Sequence, residues 1–550
     1  MSMTDQGQLH RIRTDFIWQR LIALLEDQAH TLIRTAFSTT TREAGDLSAG
    51  FFDRRSRMVA QAITGTPGHV NSMALAVVHF LDRFPIDELR PGDVLLSNDP
   101  WLCSGHLHDF TVVTPVFHHG RAIGSVANTV HVVDIGGLGF GPDGRDVFEE
   151  GICIPPCLVV RAGEMDKTMI GLIRANVREP DQVVGDLYSS IAGNEVAARQ
   201  LTALLDEFGL DDFEEVADSI IDRTRAVVEE RIGALPDGSY ENSLRMDGYD
   251  REVELRLRLR LRGKELELDF AGSSPASGRG INVVLNYTTA YAVFGVNCVL
   301  SPDIPCNHGS LTPVKVLAPP GCILNAQRPS PVSARHMIGH MLPDLVLGAL
   351  HQVMPSQVPA EGAGLIWNPS IRGASHDGPA FATVTFNAGG GGAHRDRDGW
   401  NTTAFPSGVK SMPIEAVEGT VPVLFLRKEL RPDSGGPGAF RGGLGQTIEF
   451  KSRDGRALLI NAMFDRVTHG ASGREGGGEG ATGDVRLRSA GAIAPKGLQE
   501  IPADDSIILA LPGGGGFGDP SERSRERVHA DLRGGYVSPE MARSIYKLQG

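Results

Sequence analysis

The segment FTVVTPVFHHGRAIGSVANTVHVVDIGG, residues 110–137, carries valine and threonine on both sides of His119 and Gly120, with phenylalanine before them. β-Branched and aromatic residues favour strands, and the His-Gly step supplies a turn between them. The segment therefore predicts two neighbouring strands that end in a glycine turn. Just before it, RPGDVLLSNDP, residues 90–100, predicts a turn, a buried strand and a loop.

Helical segments surround these strands. Residues 15–38 carry apolar side chains at spacings of three and four, which is typical of an amphipathic helix. Residues 69–83 and the Ala-, Leu- and Glu-rich stretch 176–232 also predict helix. Between them, LSAGFF and RMVAQ flank a turn at residues 53–55 and predict a hairpin. Residues 1–235 are therefore expected to form an N-terminal part of helices and strands.

The middle segment, residues 236–335, is predicted to be rich in strands. Within it, VELRLRLRLRGKELELDF, residues 253–270, alternates strictly between apolar and charged residues. The arginines on one strand face a return strand that carries Glu265, Glu267 and Asp269. We expect acidic and basic side chains to pair across this hairpin, which favours a solvated face over a nucleic-acid surface.

The C-terminal part, residues 336–550, is predicted to begin with a helix over residues 336–354. Glycine clusters then alternate with apolar strands such as TIEF and SIILAL, which indicates turns in a folded β region, and the last thirty residues predict a terminal helix. The whole chain is thus expected to be an α+β protein with a mixed, multi-layer architecture, a helical N-terminal part and glycine-rich β regions.

Composition excludes several classes of function. The net charge of −14 argues against non-specific binding of nucleic acid. No run reaches the roughly 18 apolar residues of a membrane-spanning helix, and the first residues lack the apolar core of a secretory signal. A cytoplasmic protein is expected. The glycine clusters match neither a P-loop nor a dinucleotide fingerprint, so this chain is not expected to bind ATP itself.

Four acidic or imidazole residues in the N-terminal third are candidates for a metal site. Asp46, His106, Asp109 and His131 each lie in a loop or at a strand end beside glycine. Imidazole and carboxylate together suit Zn²⁺, Mn²⁺ or Fe²⁺, and such a metal lowers the pKa of a bound water. Seventeen histidines also place some beside aspartates by chance, so spacing alone leaves a metal site and solvated loops both open. The same spacing favours surface positions for His108 and for the pair at 118–119.

Eight motifs occur in an order that resembles the hydantoinase B family. They are REAGDLSAGFFDRRSRMVAQ (42–61), LSNDPWLCSGHLHDFTVVTPVF (96–117), HVVDIGG (131–137), EGICIPP (150–156), RANVREPDQVVGDL (174–187), GINVVLNYTTAY (280–291), RPDSGGPGAFRGGLG (431–445) and GGGGFGDP (513–520). The family includes N-methylhydantoinase B subunits, the C-terminal part of 5-oxoprolinase, caprolactamase and the metal-carrying subunits of ketone carboxylases. The resemblance spans nearly the whole chain and is specific for the family, not for the substrate.

The resemblance implies one half of a two-protein enzyme. The expected partner is a hydantoinase A-type subunit with an actin-like fold, which uses ATP and Mg²⁺ to phosphorylate a carbonyl oxygen of the substrate. The B-type subunit then acts on the activated substrate at a divalent metal, Zn, Mn or Fe. A hetero-oligomer with no nucleic acid and no membrane is expected.

The family's metal motifs fall on Asp46, His106, Asp109 and His131, with two departures. His108 stands where relatives usually have proline, and Val132 stands where they often have a second histidine. His108 is therefore the reserve metal ligand.

Two further residues recur in family motifs and are expected to orient the substrate: Arg335 in PSPVSARHM and Asn282 in GRGINVV. Arginine suits a carboxylate or phosphate. A purely structural salt bridge is the alternative for Arg335.

Three functions remain open at this point. The length of 550 residues favours the hydantoinase B type, and therefore an ATP-dependent hydrolase of a hydantoin, lactam or oxoproline. A component of a ketone carboxylase of the acetone or acetophenone type is the second. A non-catalytic scaffold with a decayed site is the third, since Val132 removes one histidine.

Overall fold

A seven-stranded antiparallel sheet organises the N-terminal part of the protein, whose computed structural model describes residues 3–374 and 380–548. Its strands follow the order β2-β1-β5-β4-β3-β6-β7. They are β1 Leu47–Asp53, β2 Met58–Gln61, β3 Val94–Ser97, β4 Asp109–His118, β5 Arg121–His131, β6 Cys157–Arg161 and β7 Glu164–Met165. The two longest strands, β4 and β5, are the predicted hairpin around His119, whose positive φ of 48° makes the turn.

Helices cover both faces of this sheet. The helices of this part are α1 Met3–Thr35, α2 Thr39–Arg42, α3 Pro67–Arg83, α4 Lys167–Asn176, α5 Pro180–Phe208 and α6 Glu214–Gly233. Side chains alternate along each strand, so Val112 and Val126 join the apolar core that includes α1 and α5, whereas Val113 and Ala127 join the core formed with α3. The predicted helices and the β1–β2 hairpin are confirmed, with α1 beginning earlier than expected.

A second, four-stranded sheet follows in the order β11-β10-β9-β8. Its strands are β8 Gly238–Met246, β9 Val253–Arg262, β10 Glu265–Asp269 and β11 Val314–Leu317. The leucines of β9 are buried. Arg260 lies opposite Glu267 of β10 and pairs with Asp269 at 3.3 Å, as predicted, but Arg258 pairs with Glu241 of β8 and Arg256 with Glu254 of its own strand. The prediction of pairing across the hairpin is therefore confirmed for Arg260, and the other two arginines find acidic partners elsewhere in the sheet.

Four helices follow in this part of the chain. They are α7 Leu285–Leu300, α8 His308–Leu311, α9 His336–Gly339 and α10 Leu342–Leu350. Helix α7 packs against α3 of the N-terminal part. The prediction of a single helix over residues 336–354 is wrong, because the helix is interrupted between α9 and α10 and α10 ends at Leu350. Pro343 lies in the first turn of α10, where a missing N–H is tolerated, but it cannot continue a helix from α9.

Two small sheets and two terminal helices complete the C-terminal part. Their order is β13-β12-β16-β19 in one sheet and β14-β15-β20-β17-β18 in the other. The elements are β12 Ser370–Ala374, β13 Ala380–Val384, α11 Ile414–Thr420, β14 Val423–Leu430, β15 Gln446–Ser452, β16 Leu458–Met463, β17 Asp484–Leu487, β18 Gly491–Ala492, β19 Lys496–Ile501, β20 Ser506–Ala510, α12 Arg525–Gly534 and α13 Pro539–Ser544. The α+β class is confirmed, and the terminal helix is divided at Gly535, whose φ is +68°.

The glycine clusters are for the most part not turns, as the sequence suggests, but segments that form hydrogen bonds with one another outside any sheet. Four segments, around residues 390, 440, 478 and 514, form this glycine bundle. Gly443 N–H donates to Gly391 O at 2.8 Å, and Gly514 N–H donates to Gly443 O at 3.0 Å. A Cβ on Gly390 would lie 1.8 Å from Gly443 O, so only glycine permits this approach.

The division into parts at residues 235 and 335 stays a prediction. In the described residues, no helix combines the length and apolar character that a membrane crossing requires.

Candidate metal centre

Three neighbouring strands bring the predicted ligands to one end of the N-terminal sheet. Asp109 is the first residue of β4 and pairs in register with His131, the last residue of β5. Asp46 immediately precedes β1, and its carbonyl accepts the N–H of His131 at 3.1 Å. Because directly opposed residues project to the same face of a sheet, the side chains of Asp109 and His131 meet there.

His106 joins them from the loop that precedes β4. Its Nε2 lies 2.7 Å from Asp109 Oδ1, and His131 Nδ1 lies 3.0 Å from the same oxygen. The ligand atoms of these three residues all lie within 4.8 Å of one another. Two atoms that bind one zinc ion at about 2.1 Å are separated by roughly 3 Å, so this cluster has the dimensions of a metal site.

The orientation of His106 supports the same conclusion. Its Nδ1 lies 2.9 Å from the carbonyl of Ser333, which makes Nδ1 the protonated nitrogen and turns the lone pair of Nε2 toward Asp109. His106 Nε2 and His131 Nε2 are both buried without a hydrogen-bond partner. A lone pair that faces a carboxylate oxygen at 2.7 Å is stabilised by a proton or by a cation that binds both atoms, so the donor set fits a divalent ion.

Asp109 is held by three donors on its other oxygen. Asp109 Oδ2 accepts from Ser104 Oγ at 2.5 Å and from Arg335 Nη2 at 2.6 Å, and His69 Nε2 lies 3.0 Å away. Burial would raise the pKa of Asp109, but the surrounding His106, His69 and Arg335 hold it well below its usual value. The carboxylate therefore stays ionised, with Oδ1 directed at the two histidines.

His69 is a member of the site that the sequence did not reveal. It lies in the first turn of α3, between Asp109 and Asp46, and its Nδ1 is 3.5 Å from Asp46 Oδ1. Burial lowers the pKa of His69, but Asp109 and Asp46 outweigh it and raise the pKa above its ordinary value. Asp46 thus connects to the cluster through His69, outside the group of three ligands. Only proximity in space identifies His69, because nothing in GHVNSM marks it.

The reserve ligand His108 lies next to this group, with its ring close to those of His106 and His131. It is buried rather than at the surface, where its spacing had placed it, and both of its ring nitrogens lack a hydrogen-bond partner. Its ring stacks on that of His131 with centroids 5.6 Å apart. Val132 belongs to the apolar core on the α1 side of the sheet. A histidine at position 132 would therefore face that core, so the loss of the second histidine removes no donor from the cluster.

The two residues expected to orient the substrate have different positions. Arg335 lies at the site, but its guanidinium contacts Asp109 and donates from Nε to Ser104 O at 2.5 Å, which is the structural alternative. The structure does not bring Asn282 to the cavity: its Nδ2 donates to the carbonyls of Ser277, Arg279 and Pro331, each at 2.9 Å. Asn282 thus fixes a loop.

Other His-Asp pairs in the sequence lie elsewhere. Asp134 forms an ion pair with Arg178 at 2.6 Å. His118 is buried, whereas the spacing had favoured the surface, and it clusters with the exposed His119 and Asp206. This second cluster is a natural control for metal binding.

A small cavity of about 30 Å³ adjoins the ligand cluster. One wall carries Asp46, His69, His106 and His131, and further walls carry Phe140, Tyr287, Arg335, His336, His340 and Asn368. Phe140 packs against His131 with ring centroids 5.1 Å apart. Segments from all parts of the chain therefore meet around one polar cavity.

Glu150 fixes the backbone segment that orients His106. Its Oε1 accepts the N–H groups of Val332 and Ser333, both at 2.8 Å, and the carbonyl of Ser333 in turn holds His106. Burial raises the pKa of Glu150 to about 8, although these two hydrogen bonds oppose the shift. The folded state therefore binds the proton more tightly than the unfolded chain, whose pKa is near 4.5.

Glu150→Gln should change the pH dependence of stability. The contribution of Glu150 is complete below the unfolded pKa and is lost as pH rises through the folded pKa of about 8. The glutamine amide keeps an acceptor oxygen without the charge. We expect the variant and the wild type to have equal thermal midpoints at pH 5. At pH 8 the variant should have the higher midpoint, because its free energy of unfolding should exceed that of the wild type by on the order of 1–3 kcal/mol. The same difference at both pH values would contradict this.

Comparison with known proteins identifies the family of this chain and its fold. The family model described as Hydantoinase B/oxoprolinase matches residues 10–520. The chain is 26% identical to the B subunit of a putative D-/L-hydantoinase from Pseudomonas sp. (strain NS671), over 98% of this chain and 95% of that protein. It is 29% identical to the beta subunit of caprolactamase from Pseudomonas jessenii, over 94% of this chain and 92% of that protein. The chain therefore belongs to the hydantoinase B/oxoprolinase family.

Two solved structures share its fold. The crystal structure of ATP-dependent caprolactamase from Pseudomonas jessenii superposes with a TM-score of 0.90 and 26% identity, and the match covers 98% of this chain and 97% of that one. An acetone carboxylase structure superposes with a TM-score of 0.88 at 20% identity, covering 98% of this chain and 79% of that chain. At that identity, the second likeness concerns the fold alone.

Proposed function

We propose that this chain is the metal-carrying component of an ATP-dependent hydrolase of cyclic amides, such as hydantoins, lactams or oxoproline. The observation that carries the proposal is the convergence of His106, Asp109 and His131 on one point beside a cavity. The hydantoinase and caprolactamase relatives, at 26% and 29% identity over nearly the whole chain, favour a cyclic amide over a ketone.

The residues of the site have two kinds of role, metal binding and support of the metal ligands. His106, Asp109 and His131 would hold the metal, with Asp46 and His69 beside them. A bound divalent metal supplies a water of lowered pKa and a Lewis acid for an oxygen of the substrate. Arg335, Ser104 and His69 fix the Asp109 carboxylate, and Glu150 fixes the backbone that orients His106.

An amide resists attack by water, so a second protein must activate it. We propose an actin-like ATPase partner that transfers a phosphoryl group from ATP to the carbonyl oxygen, which converts that oxygen into a leaving group. The hydantoinase and caprolactamase relatives are each named as one subunit of a larger enzyme, which supports an assembly with another protein.

Reconstitution tests the proposal. The purified chain alone should neither open a lactam or hydantoin ring nor hydrolyse ATP. Turnover should appear when the candidate ATPase partner, ATP and Mg²⁺ are added, and product formation is followed by chromatography. Ketone plus bicarbonate serves as the parallel reaction. Carboxylated ketone without ring opening would replace the hydrolase assignment, and ATP-driven turnover by the chain alone would refute the division between two proteins.

A further inference from the structure

Two histidines on another wall of the cavity have ring nitrogens without a hydrogen-bond partner in the part of the chain that the structure describes. His336 begins α9 and His340 directly follows it, four residues on, so helical geometry places both side chains on one face. Their ring centroids are 5.6 Å apart, and both rings line the cavity that contains His106 and His131. This pair belongs to neither the ligand cluster nor its supports.

The polar atoms of this wall are buried without hydrogen bonds. By hydrogen-bond geometry, both ring nitrogens of His336, Nδ1 of His340 and Oδ1 of Asn368 lack a partner among the described residues, although Asn368 lies close enough to His336 to favour its charged form. Each of the three residues is at most 4% exposed. A buried polar group of this kind normally has a protein, water or ligand partner, because leaving it unpaired is costly. Four such atoms at one cavity wall indicate a surface shaped for a polar ligand.

The local charge decides which ligand fits. Burial, reinforced by Arg335, holds the pKa of His340 at about 3 and the pKa of His336 well below its ordinary value, so both imidazoles are neutral. Each neutral ring offers one N–H donor, and the Asn368 side chain offers its unpartnered Oδ1 as an acceptor and its NH₂ group as a donor. Arg335 lies beside them with its guanidinium buried. Neutral imidazoles can donate hydrogen bonds to the oxygens of an oxyanion, and the guanidinium beside them, although paired with Asp109, carries a positive charge close to this wall.

We propose that His336, His340 and Asn368 form a phosphoryl-binding subsite next to the metal centre. This inference rests on the proposed function, since the activated substrate carries a phosphoryl group on its carbonyl oxygen. The subsite would hold the phosphoryl oxygens by hydrogen bonds, while the carbon under attack faces His106 and His131. Water adds to that carbon, and the C–N bond of the ring breaks with its electron pair and the two protons of the water going to the nitrogen, which leaves an acyl phosphate. A second water then converts the acyl phosphate into a carboxylate and inorganic phosphate.

Inorganic phosphate is the probe, because it is both the leaving group and a simple model of the phosphoryl group. Isothermal titration calorimetry would measure its binding to the metal-loaded chain without any partner protein. His336→Phe and His340→Phe keep an aromatic ring without a donor, and His336→Gln and His340→Gln keep an N–H donor. His351→Phe is the matched control, since His351 closes α10 and bonds to Glu475 away from the cavity. Metal content is measured for every variant.

The subsite predicts that each Phe variant in the pair weakens phosphate binding by roughly tenfold or more at unchanged metal content, as the loss of one charge-assisted hydrogen bond implies. The Gln variants should remain within about threefold of the wild type, because they keep a donor, and His351→Phe should bind as the wild type does. Phosphate that binds the Phe variants as tightly as the wild type, or that does not bind the wild type, overturns the inference. Because no turnover is measured, this result is independent of the reconstitution that tests the proposed function.

Discussion

Asp109→Ala is expected to abolish metal binding and to destabilise the protein by about 3–5 kcal/mol. The substitution removes the oxygen that His106 and His131 share, and it leaves the Arg335 guanidinium buried and unpaired. Metal affinity should fall by at least roughly 100-fold, as the loss of a ligand exceeds the usual effect of changing a residue that only supports one. Equilibrium dialysis and thermal unfolding measure the two effects.

A double variant separates the two effects. In Asp109→Ala/Arg335→Met the unpaired charge is gone, so stability should recover in part while metal binding stays lost. A coupling between the two substitutions is expected because their side chains are in contact. If Asp109→Ala retains the metal with wild-type affinity, Asp109 is not a ligand.

Gly390→Ala is expected to prevent folding or to destabilise the chain by more than about 3 kcal/mol, beyond the usual range for an overpacked side chain. The new Cβ would lie 1.8 Å from Gly443 O and 2.7 Å from Gly514 N, and these backbone atoms belong to the hydrogen-bonded bundle and cannot move independently. The bundle adjoins residues 386–409, which contribute Phe386, Ser407 and Val409 to the cavity. Disruption of the bundle should therefore also disturb the site.

Gly419→Ala is the matched control for this prediction. Gly419 lies in α11, and a Cβ there would meet no atom within 4 Å. Alanine is the better helix former by about 1 kcal/mol, so the control should be as stable as the wild type or more so. Thermal midpoints of the two variants give the comparison. Equal midpoints would show that the bundle tolerates side chains.

The N-terminal sheet and most of its ligand cluster could be predicted because they depend on local patterns. The hairpin of residues 110–131 fixes the strand ends, and the strand ends place Asp109 opposite His131. His106 lies three residues from Asp109 in the adjoining loop. Short-range sequence therefore contains most of the information about this group.

The remainder of the site depends on contacts between distant segments. His69 contacts Asp109 across about 40 residues of chain, and Arg335 contacts it across 226. The sequence shows His336 and His340 only as part of a predicted helix. That their ring nitrogens lack hydrogen-bond partners becomes visible only in the folded cavity. The glycine clusters resemble turns for the same reason: the close approach of backbones is visible only when the segments lie side by side.

Binding of one divalent metal at the end of the N-terminal sheet is the central claim. Crystals of the metal-loaded chain, measured at the absorption edge of the bound metal, test it directly. We expect one anomalous peak within bonding distance of His106 Nε2, Asp109 Oδ1 and His131, at about 2.0–2.2 Å for zinc. A peak only at His118, His119 and Asp206, or a fully loaded sample without a peak beside Asp109, would contradict it.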